Sequence, residues 1–139
     1  GITIIISSEK IRKIFGMKGF SQKERENVGL RNIKLLKYII NQKINVIYDA
    51  IALRKLLRKK KRETFKNYFE IYIKTSIKKT FNYNKKTKIY KKIKKNIVGL
   101  DIKAEFPSTP DILIKNDFDR NLENICLELK SKIKNKIIL

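Results

Sequence analysis

The sequence has no histidine and no tryptophan, a single cysteine, a single methionine and only two prolines. Without histidine, the commonest general base and nitrogen ligand for a metal is missing. Cys126 alone can make neither an internal disulfide nor a thiolate cage, and its apolar neighbours Ile125 and Leu127 predict a core position. No apolar run approaches the roughly 20 residues of a membrane-spanning helix. Residues 2–6 are too short for the apolar core of a signal peptide and lack its basic flank. Acidic residues are scarce and scattered, with Asp117 and Asp119 placed to cap a helix and favour its dipole. Gly16 and Gly19 fall between expected helices and do not follow a strand, which argues against a dinucleotide or phosphate loop. These absences predict no enzymatic activity, no catalytic residue, no metal, no cofactor and no small-molecule substrate.

What the chain does have is positive charge. Thirty-five Lys and Arg stand against 13 Asp and Glu, a formal +22 over 139 residues. Ile, Lys and Asn supply 65 residues and Ala, Gly and Pro only ten, the bias of an AT-rich genome and so of a mitochondrion or plastid. Such bias would spread lysine evenly, yet the charge is concentrated. Residues 1–53 hold ten bases and four acids, residues 54–98 eighteen and two, and residues 99–139 seven and seven. The central stretch also interleaves seven Phe or Tyr. A segment of that density repels itself and calls for a polyanion, and RNA or DNA suits it best because neutralised phosphates release their condensed counterions.

Periodicity predicts short helices at the start. Ser7 or Ser8 can cap a helix over residues 9–15, and Ser21 with Glu24 makes a capping box for a second. Gly29 is read as breaking or ending that helix, with a third from Asn32 carrying Leu35, Leu36, Ile39 and Ile40. Ile44, Ile47 and Ile51 continue an apolar period. Phe65, Tyr68, Phe69, Tyr72, Ile73 and Ile77 mark a helical stripe to about residue 79, followed by a Lys-Asn-Tyr tail too charged to fold alone. Val98, Leu100, Ile102, Ala104 and Phe106 alternate as a strand does. A second strand over residues 111–115 and a helix from Asp117 to about Lys134 complete the chain. The expected fold is therefore mainly α: a small helical bundle over residues 1–80, a basic extended tail or linker over 81–97, and a strand-strand-helix extension over 98–139.

Several stretches resemble a known family. Gly1-Ile2-Thr3-Ile4, then Ile14-Phe15-Gly16-Met17-Lys18-Gly19, then Gly29-Leu30, are similar to the opening of the universal ribosomal small-subunit protein thirteen family. Leu35, Leu36, Gln42 and Ile44 follow at a similar spacing. Residues 79–88, Lys-Thr-Phe-Asn-Tyr-Asn-Lys-Lys-Thr-Lys, are similar to its basic tail. The resemblance covers about residues 1–90 and implies a helical body in the small-subunit head, with a tail threading rRNA.

The expectation is a structural constituent of an organellar, mitochondrial ribosome. The alternatives are a DNA-binding nucleoid protein or a matrix-side accessory subunit of a respiratory complex. The partners would be rRNA and, through the C-terminal extension, neighbouring ribosomal proteins. RNA contacts are expected from Lys18, from Arg54, Lys55, Arg58, Lys59, Lys60, Lys61 and Arg62, and from Lys78 and Lys79. The tail would add Tyr83, Lys85, Lys86, Lys88, Tyr90, Lys91, Lys92, Lys94 and Lys95, the lysines holding phosphates and the tyrosines stacking on bases.

Overall fold

The computed structural model describes residues 1–76, 78–80 and 96–137. They fall into two compact units, Gly1–Tyr68 with Lys95–Phe106, and Phe69–Lys94 with Pro107–Leu139.

The first unit begins with β1 (Thr3–Ser7), α1 (Ser8–Ile14), α2 (Gln22–Asn41) and β2 (Asn45–Asp49), followed by α3 (Lys55–Thr64). β1 and β2 are parallel, with Thr3 opposite Asn45 and Ser7 opposite Asp49. Two parallel strands cannot be joined by a hairpin, and α1 and α2 together form the required crossover. A Schellman turn closes α1: Met17 N–H donates to the Arg12 carbonyl and Gly16 N–H to that of Lys13. Gly16 takes the left-handed conformation this needs, at φ 57°. Ser21 then starts α2 with a reciprocal capping box to Glu24. The buried side chains are Ile11 of α1, Val28, Asn32, Ile33 and Leu36 of α2, Leu57 and Lys61 of α3, and Ile102. Those of α2 recur at helical spacing along one stripe.

The second unit pairs β3 (Ile71–Lys74) with β4 (Ile112–Lys115), again parallel, and adds α4 (Leu122–Ile137). Ile112 and Ile114 lie under α4, whose Ile125, Leu129 and Ile133 recur every four residues to meet them. Lys79 and Lys115 bracket Asp117 at 3.3 and 3.5 Å.

The expected mainly α bundle is overturned, because four segments are strands in parallel pairs. Residues 3–7 and 45–49 carry nearly continuous apolar runs, with Ile5 and Ile47 apolar although exposed, and so show no clean alternation in sequence. The aromatic stripe from Phe65 is no helix either: α3 stops at Thr64 and the chain re-enters as β3 at Ile71. Gly29 interrupts nothing. The apparent strand over residues 98–106 is a single Val98–Ile102 bridge. Cys126 is exposed. The extended tail expected over residues 81–97 lies, except for Asn96 and Ile97, outside the described residues.

Candidate functional site

Open parallel sheets present ligands beyond the carboxyl ends of their strands. In the first unit the crossover leaving the carboxyl end of β1 carries α1, the turn over residues 15–21 and the start of α2. Arg12, on α1, donates from Nη1 to the carbonyls of Met17 at 3.1 Å and Gly19 at 2.6 Å. Its guanidinium lies over the Phe20 ring, 4.7 Å from the centroid. Arg25, on the first turns of α2, donates from Nε to the Phe20 carbonyl at 2.8 Å and from Nη2 to that of Asn96 at 2.9 Å. Its guanidinium also lies over Phe20, at 5.2 Å. Phe20 itself remains 39% exposed. Two arginines therefore hold one solvent-facing aromatic ring, each pinned by backbone carbonyls.

Beside this cluster lies an open cleft of about 300 Å³, lined by Phe15, Gly16, Met17, Lys18, Glu24, Asn27, Val28 and Arg31. Lys18 and Arg31 are its cations. Glu24 is its acid, and that carboxylate is committed. It accepts from the Ser21 N–H at 2.9 Å and from the Ser21 hydroxyl. These hydrogen bonds, with a smaller contribution from Arg12, hold its pKa below the ordinary carboxylate value. Gly19, at φ 90°, comes so close to Glu24 that any Cβ would overlap the carboxylate. The cleft and the Phe20 cluster together offer cationic, planar and aromatic surfaces, which suit an anion bearing a flat ring.

Among the described residues expected to contact RNA, Lys18 alone lines this cleft. The basic run on α3 is largely occupied within the protein. Arg54 pairs with Glu26 at 2.8 Å and Glu105 at 3.5 Å, and the Lys55 backbone N–H donates to Glu105 at 2.7 Å. Arg58 donates to the carbonyls of Ala52 and Phe106. Lys59 pairs with Glu63, Arg62 lies over Tyr68, and Lys61 is buried with its ammonium over Tyr48. Lys60 and Lys78 are exposed. In the other unit Lys79 pairs with Asp117. Tyr83, Lys85, Lys86, Lys88, Tyr90, Lys91, Lys92, Lys94 and Lys95 lie outside the described residues.

The family model for adenylylsulphate kinase matches residues 3–115. This chain belongs to the adenylylsulphate kinase family. It is 29% identical over 123 residues to a cytidine diphosphoramidate kinase from Campylobacter jejuni, covering 86% of this chain and 72% of that protein. Its fold resembles that of the Mycobacterium tuberculosis APS kinase CysC in complex with AMPPNP and APS, with a TM-score of 0.78 at 18% identity. That likeness covers 96% of this chain and 80% of the mycobacterial one, and it places the chain in the α/β class.

Membership of a kinase family corrects the expectations drawn from charge. The likeness to ribosomal small-subunit protein thirteen does not survive it, and neither does the role of a non-enzymatic ribosomal constituent. The nucleoid and respiratory alternatives fall with it. The expected partners, rRNA and ribosomal proteins without any small-molecule substrate, are likewise overturned, since the relatives are kinases. The physical reason is visible on α3, where charge read as a polyanion-binding run serves internal ion pairs and carbonyls. Sequence reasoning missed Arg12, Phe20, Arg25 and Arg31. Their signal is a glycine-bounded turn following a strand and a short helix, and it is hidden because β1 lacks the alternation of a strand.

Proposed function

We propose that this chain takes part in phosphoryl transfer to a small nucleotide-linked anion, and that its Arg12–Phe20–Arg25 cluster and neighbouring cleft hold the acceptor. The observation that carries this reading is the exposed Phe20 ring beneath two fixed guanidinium groups. A nucleobase stacks on such a ring, while Arg12, Arg25, Lys18 and Arg31 offset the charge of its phosphates. The family name points to adenylylsulphate as acceptor and the C. jejuni relative to cytidine diphosphoramidate. Both are nucleotide-linked anions and suit the same cluster. The position of the cluster, on the crossover from the carboxyl end of a parallel strand, is where open α/β sheets bind ligands.

Calorimetric titration of the 139-residue chain with adenylylsulphate and with cytidine diphosphoramidate tests the reading. One of the two is expected to bind. Phe20→Ala should weaken that binding about tenfold, the loss of one base–aromatic stack. Binding of neither compound, or equal binding by Phe20→Ala, would exclude the assignment.

A further inference from the structure

Arg25 is held at one end by local sequence and at the other by a segment 71 residues away. Its Nε donates to the Phe20 carbonyl, whereas its Nη2 donates to that of Asn96, at the head of a tight turn over residues 96–102. That turn is fixed by its own backbone. The Ile97 carbonyl accepts from the N–H groups of Leu100 at 3.2 Å, Asp101 at 2.9 Å and Ile102 at 3.1 Å. Gly99 N–H donates back to the Ile102 carbonyl at 2.8 Å, with Gly99 at φ 94°, a conformation that a side chain would strain. Buried Ile102 seats the far end of the turn in the interior of the first unit. Asn96 opens it at φ 67°, in the left-handed region that asparagine tolerates better than most side chains.

A single peptide group links this turn to Arg25. The Asn96 carbonyl and the Ile97 N–H lie in one peptide plane, and that N–H donates to Asp101 Oδ2 at 3.0 Å. A carboxylate, a peptide and a guanidinium therefore stand in series. The carboxylate draws on the N–H and leaves the carbonyl oxygen more negative towards the cation, so the two hydrogen bonds strengthen each other. The plane is rigid, so fixing its N–H also fixes the direction of its carbonyl. We infer that Asp101 is a positioning residue of the acceptor site, acting through the Asn96–Ile97 peptide to hold Arg25 over Phe20. Asp101 is exposed and lies outside the lining of the cleft, so it acts only through Arg25. Arg12 needs no such support, because the Met17 and Gly19 carbonyls that hold it belong to the adjoining turn. The hold on Arg25 rests on this geometry alone, whereas its consequence for the acceptor rests on the proposed function.

NMR of the full 139-residue chain tests the coupling with no acceptor present. Solvent exchange of the Arg25 guanidinium protons should quicken about fivefold in Asp101→Ala, the effect of weakening one hydrogen bond. Asp101→Asn, whose amide oxygen still accepts from Ile97, should stay within about twofold of wild type. Leu100→Ala, in the same turn but 58% exposed, should change nothing. Asp101→Glu, which keeps the charge but displaces the carboxylate by one methylene, should quicken exchange and serves if Asp101→Ala does not fold. Calorimetry then uses whichever of adenylylsulphate and cytidine diphosphoramidate binds the wild type. Asp101→Ala should weaken that binding about fivefold, and should add nothing in an Arg25→Ala background. A carboxylate that merely closed its own turn would lower stability and leave Arg25 as it was. Unchanged Arg25 exchange in a folded Asp101→Ala or Asp101→Glu variant would overturn the inference, as would equal losses of binding with and without Arg25. Binding of neither compound would overturn the proposed function alone, and the exchange measurement would still decide whether Asp101 holds Arg25.

Discussion

The side-chain amide of Asn32 donates to the Tyr48 hydroxyl at 2.8 Å and to the Ser8 hydroxyl at 3.2 Å, from a position only 1% exposed. One buried amide in the middle of α2 thus ties β2 to the first residue of α1. A buried donor left without its acceptor costs more than the net value of the bond it made. Asn32→Leu should therefore destabilise the chain by about 2 kcal/mol in urea unfolding. Tyr48→Phe should cost about 1 kcal/mol, and the double variant less than the sum of the two.

Gly29 shows how a helix-breaking residue can be required inside a helix. It lies mid-way along α2, where the buried Leu57 side chain of α3 packs directly onto its Cα. Ala is about 1 kcal/mol better than Gly in an exposed helix interior. Here a Cβ would collide with the side chain of Leu57, which is itself buried and would have to shift. Gly29→Ala is expected to lower the thermal midpoint, and the paired change Gly29→Ala with Leu57→Ala should not restore it fully, because the leucine's own burial is lost.

Acidification should act through Glu24. Its pKa is depressed in the folded chain, chiefly by the Ser21 hydroxyl and then by the Ser21 backbone N–H. A depressed carboxylate contributes stability that is complete above its ordinary value of 4.5 and is lost as the pH falls through the folded value. Ser21→Ala removes the largest of those contributions. The difference in unfolding midpoint between wild type and Ser21→Ala should be greatest at neutral pH and should shrink as the pH is lowered below the ordinary carboxylate range.

Ile114 is the most completely buried apolar side chain of the second unit, at 1% exposure among Ile112, Ile125, Leu129 and Ile133. Ile114→Val should cost about 1 kcal/mol and Ile114→Ala about 3 kcal/mol, measured by denaturant unfolding. Ile73→Ala, on the same face but 57% exposed, should cost far less. Equal costs would mean that β3 is covered in solution.

Features written in local sequence were legible without coordinates. The helix after Ser7, the Ser21–Glu24 capping box, a strand near residues 111–115 and the amphipathic spacing of Ile125, Leu129 and Ile133 all depend on residues within one or two turns of each other. The pairing of β1 with β2 does not. It joins residues more than forty apart, and strands that keep apolar residues at the exposed positions Ile5 and Ile47 lack the alternation that would announce them. The acceptor cluster is opaque for the same reason, since Phe20 becomes notable only once α1 and α2 bring Arg12 and Arg25 over its ring.

By itself the sequence determined composition, charge, the absence of histidine chemistry and the helices whose caps and stripes are local. Only the tertiary structure decided where the charge is spent. Arg54 meets Glu26 and Glu105, and Lys61 is buried against Tyr48, because α3 packs onto α2 and beside β2. A count of lysines cannot distinguish a cation waiting for a polyanion from one already neutralised across the fold. Electrostatic partners are set by distance in space, and that distance is fixed by the packing of elements far apart along the chain.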